Sequence, residues 1–400
     1  MSRTRRMLPV VATLILLLAA ARSVPARAPS GDAWLLTVAG RPGGDSSMGI
    51  DGADRAGAGM DGIGQSDLGA GERRWIAAAW GGQVRVLTGD FHAAESPAPD
   101  FGATRFLFVG RRAAGDRLAI WEMRADGSGV RRVTPGHGDP RDPAWMPDGR
   151  MVFSDVAGEG TRALFACRPD GSDLQQLTFG LDRDLRPEAL ADGRIRFARI
   201  RVASGRTTEV VPMTIHPDGT GVARDTTQRS GGEGAAAVPA APPGFRLIGA
   251  RRFAPRATPP ILTSVIDLDR RTGTLLCLDV HSSLLPKIAR LERGAVARVR
   301  AEVLGRGTIL GEAPVQADGS FLIEVPADTP LRLTLVGADG RDLASHDAGV
   351  WVRPKENRGC VGCHEPPDLA PENRRPRAIQ QDPVRLTAGP PAGEDRDARR

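Results

Sequence analysis

The sequence predicts an all-β protein: a partial or complete β-propeller built from repeats, then a small β-sandwich, then a C-terminal Cys-x-x-Cys-His segment. Three observations predict it. A pattern with an Asp-Gly turn recurs after 44 residues, and a second pattern keeps the same step. Past a Ser/Gly/Ala/Pro-rich break, apolar residues alternate with charged ones at a period of two.

In chain order, Arg3, Arg5 and Arg6 precede an apolar run from Leu8 to Ala21 and the small-residue stretch Val24-Pro25-Ala26-Arg27-Ala28. This is the pattern of a secretory signal peptide over 1–28, with cleavage near Ala26 or Ala28. The run is shorter than the roughly 20 residues a bilayer span needs. The expected mature protein is therefore periplasmic or otherwise exported by the general secretory route, with no membrane span after cleavage. Residues 29–74 follow as a linker. From Gly40 to Gly71 they hold hardly any large apolar side chain, too little burial to offset ordering entropy, so disorder is expected there.

The repeats occupy 75–229. Ile120-Trp-Glu-Met-Arg-Ala-Asp-Gly-Ser-Gly-Val-Arg-Arg-Val-Thr134 aligns with Leu164-Phe-Ala-Cys-Arg-Pro-Asp-Gly-Ser-Asp-Leu-Gln-Gln-Leu-Thr178. Pro143-Ala-Trp-Met-Pro-Asp-Gly-Arg-Met-Val-Phe153 aligns with Pro187-Glu-Ala-Leu-Ala-Asp-Gly-Arg-Ile-Arg-Phe197 at the same step. A period in the forties with strand, Asp-Gly turn and strand in each unit is that of four-stranded propeller blades. Val84-Arg-Val-Leu-Thr88 is a weaker copy upstream, and His216-Pro-Asp-Gly-Thr220 carries the turn downstream. These runs resemble the TolB-type β-propeller repeat, which commonly closes with six or seven blades; three to five are countable here.

A Pro/Gly/Ala linker over 230–260 ends the repeats, and a β-rich middle domain over 261–352 follows. Within its sandwich portion, 294–352, Val299, Ala301 and Val303 face one way and Arg298, Arg300 and Glu302 the other. Phe321, Ile323 and Val325 repeat the alternation after the Asp318-Gly319 turn, and Leu331, Leu333 and Leu335 do so before Asp339-Gly340.

The segment 353–376 contains Cys360-Val361-Gly362-Cys363-His364. Two cysteines at this spacing reach both vinyl groups of one porphyrin, and the adjacent histidine turns its imidazole onto the iron. The expected cofactor is one covalent haem c, with Cys360 and Cys363 as thioether donors and His364 as proximal iron ligand. Zinc at the same residues lacks a fourth ligand nearby. A thioredoxin-like dithiol lacks its strand-turn-helix setting. No Met or His occurs after His364 in this sequence, and the tail over 377–400 is rich in proline and charge and expected to be disordered, so the haem leans on the preceding β domain or on a partner. The expected iron is five-coordinate, or capped weakly by an upstream residue such as His346, which lies in the approach to the motif.

Composition narrows the classes of function. The net charge of +6 comes from 54 basic residues scattered among 48 acidic ones with no basic stripe, which argues against nucleic acid. No nucleophile triad or phosphate-cradling glycine loop stands out, so nothing supports a hydrolase. Cys167 and Cys277 are too few for a disulfide scaffold and read as small apolar residues, though an oxidising compartment permits them to pair.

Gly311-Glu-Ala-Pro-Val-Gln-Ala-Asp-Gly-Ser-Phe321, Val325-Pro-Ala-Asp-Thr-Pro-Leu-Arg332, Arg358-Gly-Cys-Val-Gly-Cys-His-Glu365, Ala370-Pro-Glu-Asn373 and Gly273-Thr-Leu-Leu-Cys-Leu-Asp279 are similar to proteins related to the hydrazine synthase alpha subunit. The resemblance implies a propeller, a β-rich middle domain and c-type haem held by Cys360, Cys363 and His364. It does not carry hydrazine synthesis across, since this chain has a single haem motif. Two classes of function remain: a haem module for electron transfer or for binding a redox or structural protein partner or a small ligand, and a haem oxidoreductase acting on a small nitrogen or oxygen species. An envelope scaffold is a third.

Overall fold

The computed structural model describes residues 33–40, 73–134, 138–158, 161–203, 206–226, 238–283, 286–362 and 375–387. The signal peptide, the Gly-rich stretch over 41–72 and the residues from 388 onward lie outside them. Over the described residues the regular secondary structure is almost entirely strand, with one four-residue α-helix, Pro286–Ala289, and one 3₁₀ turn, Arg377–Gln380. Among the described residues no helix is long and apolar enough to cross a membrane.

Among the described residues, sixteen strands build four blades. The first contains β1 (Trp34–Gly40), β2 (Arg74–Trp80) and β3 (Gln83–Val86); the second contains β4 (Ala93–Pro99), β5 (Arg105–Arg111), β6 (Ala119–Arg124) and β7 (Arg131–Arg132). The third is β8 (Arg141–Trp145), β9 (Met151–Gly158), β10 (Thr161–Cys167) and β11 (Gln175–Gln176). The fourth is β12 (Arg183–Ala189), β13 (Ile195–Ala203), β14 (Arg206–Ile215) and β15 (Ala223–Arg224). The third and fourth touch edgewise through one parallel pair, Arg162 with Arg183. Then β16 (Phe245–Arg252) returns to pair antiparallel with β1, supplying the first blade's fourth strand.

The Asp-Gly turns work as the sequence predicts. Gly127, Gly149, Gly171, Gly193 and Gly219 all sit at φ between +83° and +88°, where a side chain is strained. The preceding carboxylate then accepts the backbone N–H two residues on: Asp126 from Ser128 at 2.8 Å, and Asp148, Asp170, Asp192 and Asp218 from Arg150, Ser172, Arg194 and Thr220 at 3.0 Å. The threonine closing each repeat has an equally regular task. Thr88, Thr134 and Thr178 are buried, and each hydroxyl accepts a backbone N–H, from Ile76, Ile120 and Leu164, at 2.9 Å.

Blades bury both faces, so their strands read as continuous apolar runs. In β5, Phe106 and Phe108 pack toward the first blade with Ile76, Ala78, Phe91 and Met123, while Leu107 and Val109 pack toward the third with Trp145, Met151 and Phe153. A further cluster joins Val152, Leu164 and Ala166 of the third blade to Ile195, Phe197 and Ile215 of the fourth. Each of the large apolar side chains contributes about 1.5–3 kcal/mol by leaving water. Among the described residues these clusters join the first blade to the second, the second to the third and the third to the fourth.

The rest is a sandwich of two four-stranded sheets. One has the order β23 (Asn357–Cys360), β17 (Thr272–Cys277), β20 (Phe321–Pro326), β24 (Val384–Arg385); the other has the order β19 (Thr308–Pro314), β18 (Val296–Val303), β21 (Leu331–Gly337), β22 (Asp342–Val350). The predicted alternation holds. Val299, Ala301, Phe321, Ile323, Val325, Leu331 and Leu335 fill one core, while Arg298 and Arg300 lie outward on Glu312 at 2.7 and 2.8 Å. Leu333 is only partly buried against that core, beside shifts in the β21–β22 register.

Some expectations are corrected by long-range pairing. β1 lies inside the expected linker over 29–74, and β16 inside that over 230–260. The sandwich exceeds 294–352, taking β17 before it and β23 and β24 after it. Part of the expected disordered tail is ordered: the amide of Ala378 donates to the Ser320 hydroxyl at 3.0 Å, and Val384 pairs with Ile323.

Candidate functional site

The site begins where the chain leaves the sandwich. After β22, Trp351 inserts against the third and fourth blades and is 2% exposed. Its ring meets Phe179 edge-on at 6.2 Å and lies under the guanidinium of Arg199 at 5.2 Å. Arg199 is itself buried and held bidentately by Asp184 at 2.8 and 2.9 Å, and that carboxylate keeps its pKa above the ordinary value even though burial opposes the charge. A small cavity beside this pair is lined by Arg162, Thr178, Phe179, Asp182 and Arg199.

Two residues on, Arg353 bridges the two domains. Its Nε donates to the Asp218 carbonyl of the fourth blade at 3.0 Å, and its Nη1 pairs with Asp328 of the sandwich at 2.6 Å. Glu356 completes the clamp: one carboxylate oxygen accepts the Arg353 amide at 2.6 Å and the other the Gly221 amide at 3.3 Å. This close fit requires glycine at 273 in β17, since a Cβ there would lie 2.7 Å from the Arg353 carbonyl and 2.9 Å from that of Glu356. Arg358 then donates to the carbonyls of Trp351 at 2.9 Å and of Val222 at 3.4 Å.

So held, the chain enters β23, an edge strand parallel to β17 in the register Thr274–Asn357, Leu275–Arg358, Leu276–Gly359, Cys277–Cys360. The pairing runs past the strand: Leu278 N–H donates to the Cys360 carbonyl at 2.9 Å and Asp279 N–H to that of Val361 at 3.2 Å. Gly362 packs against Ser282 so closely that no Cβ fits. Cys360 is partly exposed and packs on the sandwich core; Cys363 and His364 lie outside the described residues.

The described residues contain no group of three or more His, Cys, Asp or Glu side chains arranged to hold a metal. His346 lies on β22, in the sheet that does not contain Cys360. His281 follows the run alongside the motif; its Nδ1 is buried without a hydrogen-bond partner, and its amide donates to Asp279 at 3.0 Å. Asp279 also pairs with Arg293 at 2.9 Å. Cys167 sits in the core between the second and third blades, where burial, with Asp170 and Asp173 nearby, pushes its thiol up to about 12. It is therefore remote from Cys277, whose registered neighbour is Cys360.

A second concavity lies at the propeller's turn end. Residues 254–268 cross it as a strap, with Arg256 N–H on the Phe101 carbonyl at 2.9 Å and Val265 N–H on Asp218 Oδ2 at 3.0 Å. Between the strap's Leu262 and Ile266 and the third blade's Arg150, Arg168 and Asp170 lies an open cleft of about 950 Å³.

With this geometry in place, comparison with known proteins is informative. Residues 286–365 match the family model of the hydrazine synthase alpha subunit middle domain. The chain is related to the hydrazine synthase alpha subunit. The hydrazine synthase subunit alpha of Kuenenia stuttgartiensis is 34% identical over 85 residues, which are 20% of this chain and 10% of that protein. The family-model match thus lies in the sandwich and the segment that follows it, and the 85-residue match spans a tenth of its relative's length. The solved structure of Kuenenia stuttgartiensis hydrazine synthase superposes over 88% of this chain and 72% of its own, with TM-score 0.68 and 15% identity, which shows a shared fold across both domains. A putative TolB from Agrobacterium tumefaciens covers 38% of this chain at TM-score 0.32; the propeller assignment rests on the blades themselves. The interdomain clamp of Trp351, Arg353, Glu356 and Arg358 was not found from the sequence, although all four precede the motif by ten residues or fewer.

Proposed function

We propose that this chain is an exported hydrazine synthase alpha-related protein that carries one covalent haem c at the edge of its sandwich and uses it for electron transfer or small-ligand binding. Cys360 and Cys363 would hold the porphyrin and His364 the iron. The supporting observation is the setting of Cys360: a partly exposed thiol at the end of an edge strand, fixed through Arg353, Glu356 and Arg358 to both domains. That residue fits one thioether position, since an edge strand leaves one side free for a planar group. When bound, haem supplies a one-electron couple and an iron coordination position. The chain's own contribution is to hold the attachment point rigid relative to the propeller, which offers a partner a surface in constant relation to the cofactor. A redox protein or a structural protein is the partner class proposed.

A second reading follows from the relation to a subunit of hydrazine synthase: an oxidoreductase acting on a small nitrogen or oxygen species at an open iron position. The full chain, produced together with c-type haem attachment machinery, distinguishes them. A haem spectrum in the purified protein is expected in either case. A shift when carbon monoxide is added to the reduced form supports an open site. A low-spin spectrum indifferent to it favours electron transfer, and absence of haem contradicts both.

A further inference from the structure

The pairing of β17 with β23 puts two thiols side by side. Cys277 and Cys360 are direct register partners on adjacent parallel strands. Their Cα atoms are therefore about one strand spacing apart, roughly 4.8 Å, inside the roughly 4.4–6.8 Å that disulfides span. Register partners point to the same face of a sheet, and the packing agrees: Cys277 belongs to the sandwich core and Cys360 packs against that same core. Both are thiols in this structure. Nothing in the blade chemistry or the sandwich alternation requires a cysteine at 277, where the β17 pattern of alternate burial asks only for an apolar side chain.

We propose that Cys277 and Cys360 form a disulfide in the haem-free chain, so that Cys277 governs whether Cys360 is available for thioether formation. The inference rests on the reading of Cys360 as a haem attachment residue only for its consequence; the disulfide itself needs no haem. The oxidant is a disulfide of the thiol-exchange class, such as glutathione disulfide. Exposure sets the order of events, because Cys277 is 3% exposed while Cys360 is partly accessible. The Cys360 thiolate attacks one sulfur of the oxidant, giving a mixed disulfide and releasing the first oxidant thiol. The Cys277 thiolate then attacks the Cys360 sulfur, forming the internal bond and releasing the second. Two electrons and two protons pass in total from the protein thiols to the oxidant, which leaves as two thiols. In an oxidising compartment the bond shields the motif's first cysteine, and a reductant must return it to the thiol before haem can be attached.

The test uses the full chain made without haem attachment machinery, oxidised with glutathione disulfide, alkylated and cleaved by trypsin without reduction. The expected result is a linked mass joining Thr272–Lys287 to Gly359–Arg374. Because the second peptide also contains Cys363, the assignment requires that the link persists in Cys363→Ser and disappears in Cys360→Ser and in Cys277→Ser. A link that disappears in Cys363→Ser, or a fully alkylated Cys277 beside an internal Cys360–Cys363 bond, overturns the proposal. The mapping alkylation follows denaturation; folding of the serine variants is checked in a separate alkylation of the native protein, in which Cys167 stays protected in a folded third blade. If the link forms but the mature protein carries no haem, the disulfide stands and the haem reading falls; if haem attaches but no link ever forms, the reverse holds.

Discussion

The propeller and the sandwich differ in how their strands find partners. In the propeller most strands pair with a neighbour in sequence across a short turn, and the code is local: Asp-Gly at positive φ, a buried threonine on a backbone amide, apolar runs between. In the sandwich, the sheet carrying the candidate site is assembled from pieces far apart, with β17 flanked by β23 in parallel and by β20, itself flanked by the tail strand β24. Parallel pairing cannot be made by a hairpin. The site-bearing sheet therefore depends on the whole domain being folded, whereas a blade depends chiefly on itself and its neighbours. The clamp from Trp351 to Arg358 joins these two regimes, tying the last segment before the motif to the fourth blade.

The comparison breaks first if the clamp is dispensable. Trp351→Ala removes a buried indole from the third–fourth blade core and is expected to cost about 3–5 kcal/mol, lowering the melting temperature of the whole chain in a calorimetric scan. Two separate transitions, with the propeller unaffected, would show that the domains are not coupled there.

Nearly as large is the effect expected at Arg199. Arg199→Ala leaves Asp184 buried and unpaired, which costs about 3–5 kcal/mol. Replacing both partners, as Arg199→Met with Asp184→Leu, should recover most of that loss in urea unfolding, since the cost lies in the orphaned charge. A double variant as unstable as the single would mean that the bidentate pair is itself the support for Trp351.

Within the blades, Thr134→Val and Thr178→Val should each cost about 1–3 kcal/mol by leaving the amides of Ile120 and Leu164 unsatisfied. Equal losses at the two sites would sharpen the picture of repeats as equivalent units. A near-neutral result at either would show that water replaces the hydroxyl.

The smallest effect is in pH dependence, where individual buried and arginine-paired glutamates have opposite signs. Burial raises Glu95 in the propeller despite Arg74 and Arg141 beside it. The stability linked to its protonation is present below the ordinary glutamate range and is lost as pH rises through its higher folded value. Hydrogen bonds from arginines lower Glu312 and Glu324 of the sandwich, from Arg300 and Arg385 respectively. Their contribution is present above the ordinary range and is lost as pH falls through the lowered values. Glu95→Gln should flatten the first dependence and Glu312→Gln the second, measured as urea midpoints between acid and neutral pH; the partly exposed Glu312 pair is screened and contributes least.

What the sequence made legible follows the same division. Asp126, Asp148, Asp170, Asp192 and Asp218 announce their turns because the carboxylate and the glycine act within three residues. Val299 and Ala301 announce their strand because burial alternates along one segment. Phe245–Arg252 did not announce itself, since its partner β1 lies about two hundred residues earlier and its surroundings are rich in Pro, Gly and Ala. Arg353 and Glu356 likewise read as a charged approach to the motif, because their partners, Asp218 and Gly221, are long-range. The neighbour of Cys360 was hidden for the same reason: 83 positions separate it from Cys277, and only strand register brings the two together.

The central claim is covalent haem on this edge strand, and peptide mass tests it most directly. The full chain is produced with the c-type attachment machinery, purified, denatured and digested with trypsin. The prediction is that Gly359–Arg374 carries the mass of one haem, and that the adduct is lost in the Cys360→Ala, Cys363→Ala double variant. The same peptide recovered unmodified, with both thiols open to alkylation, would contradict the account.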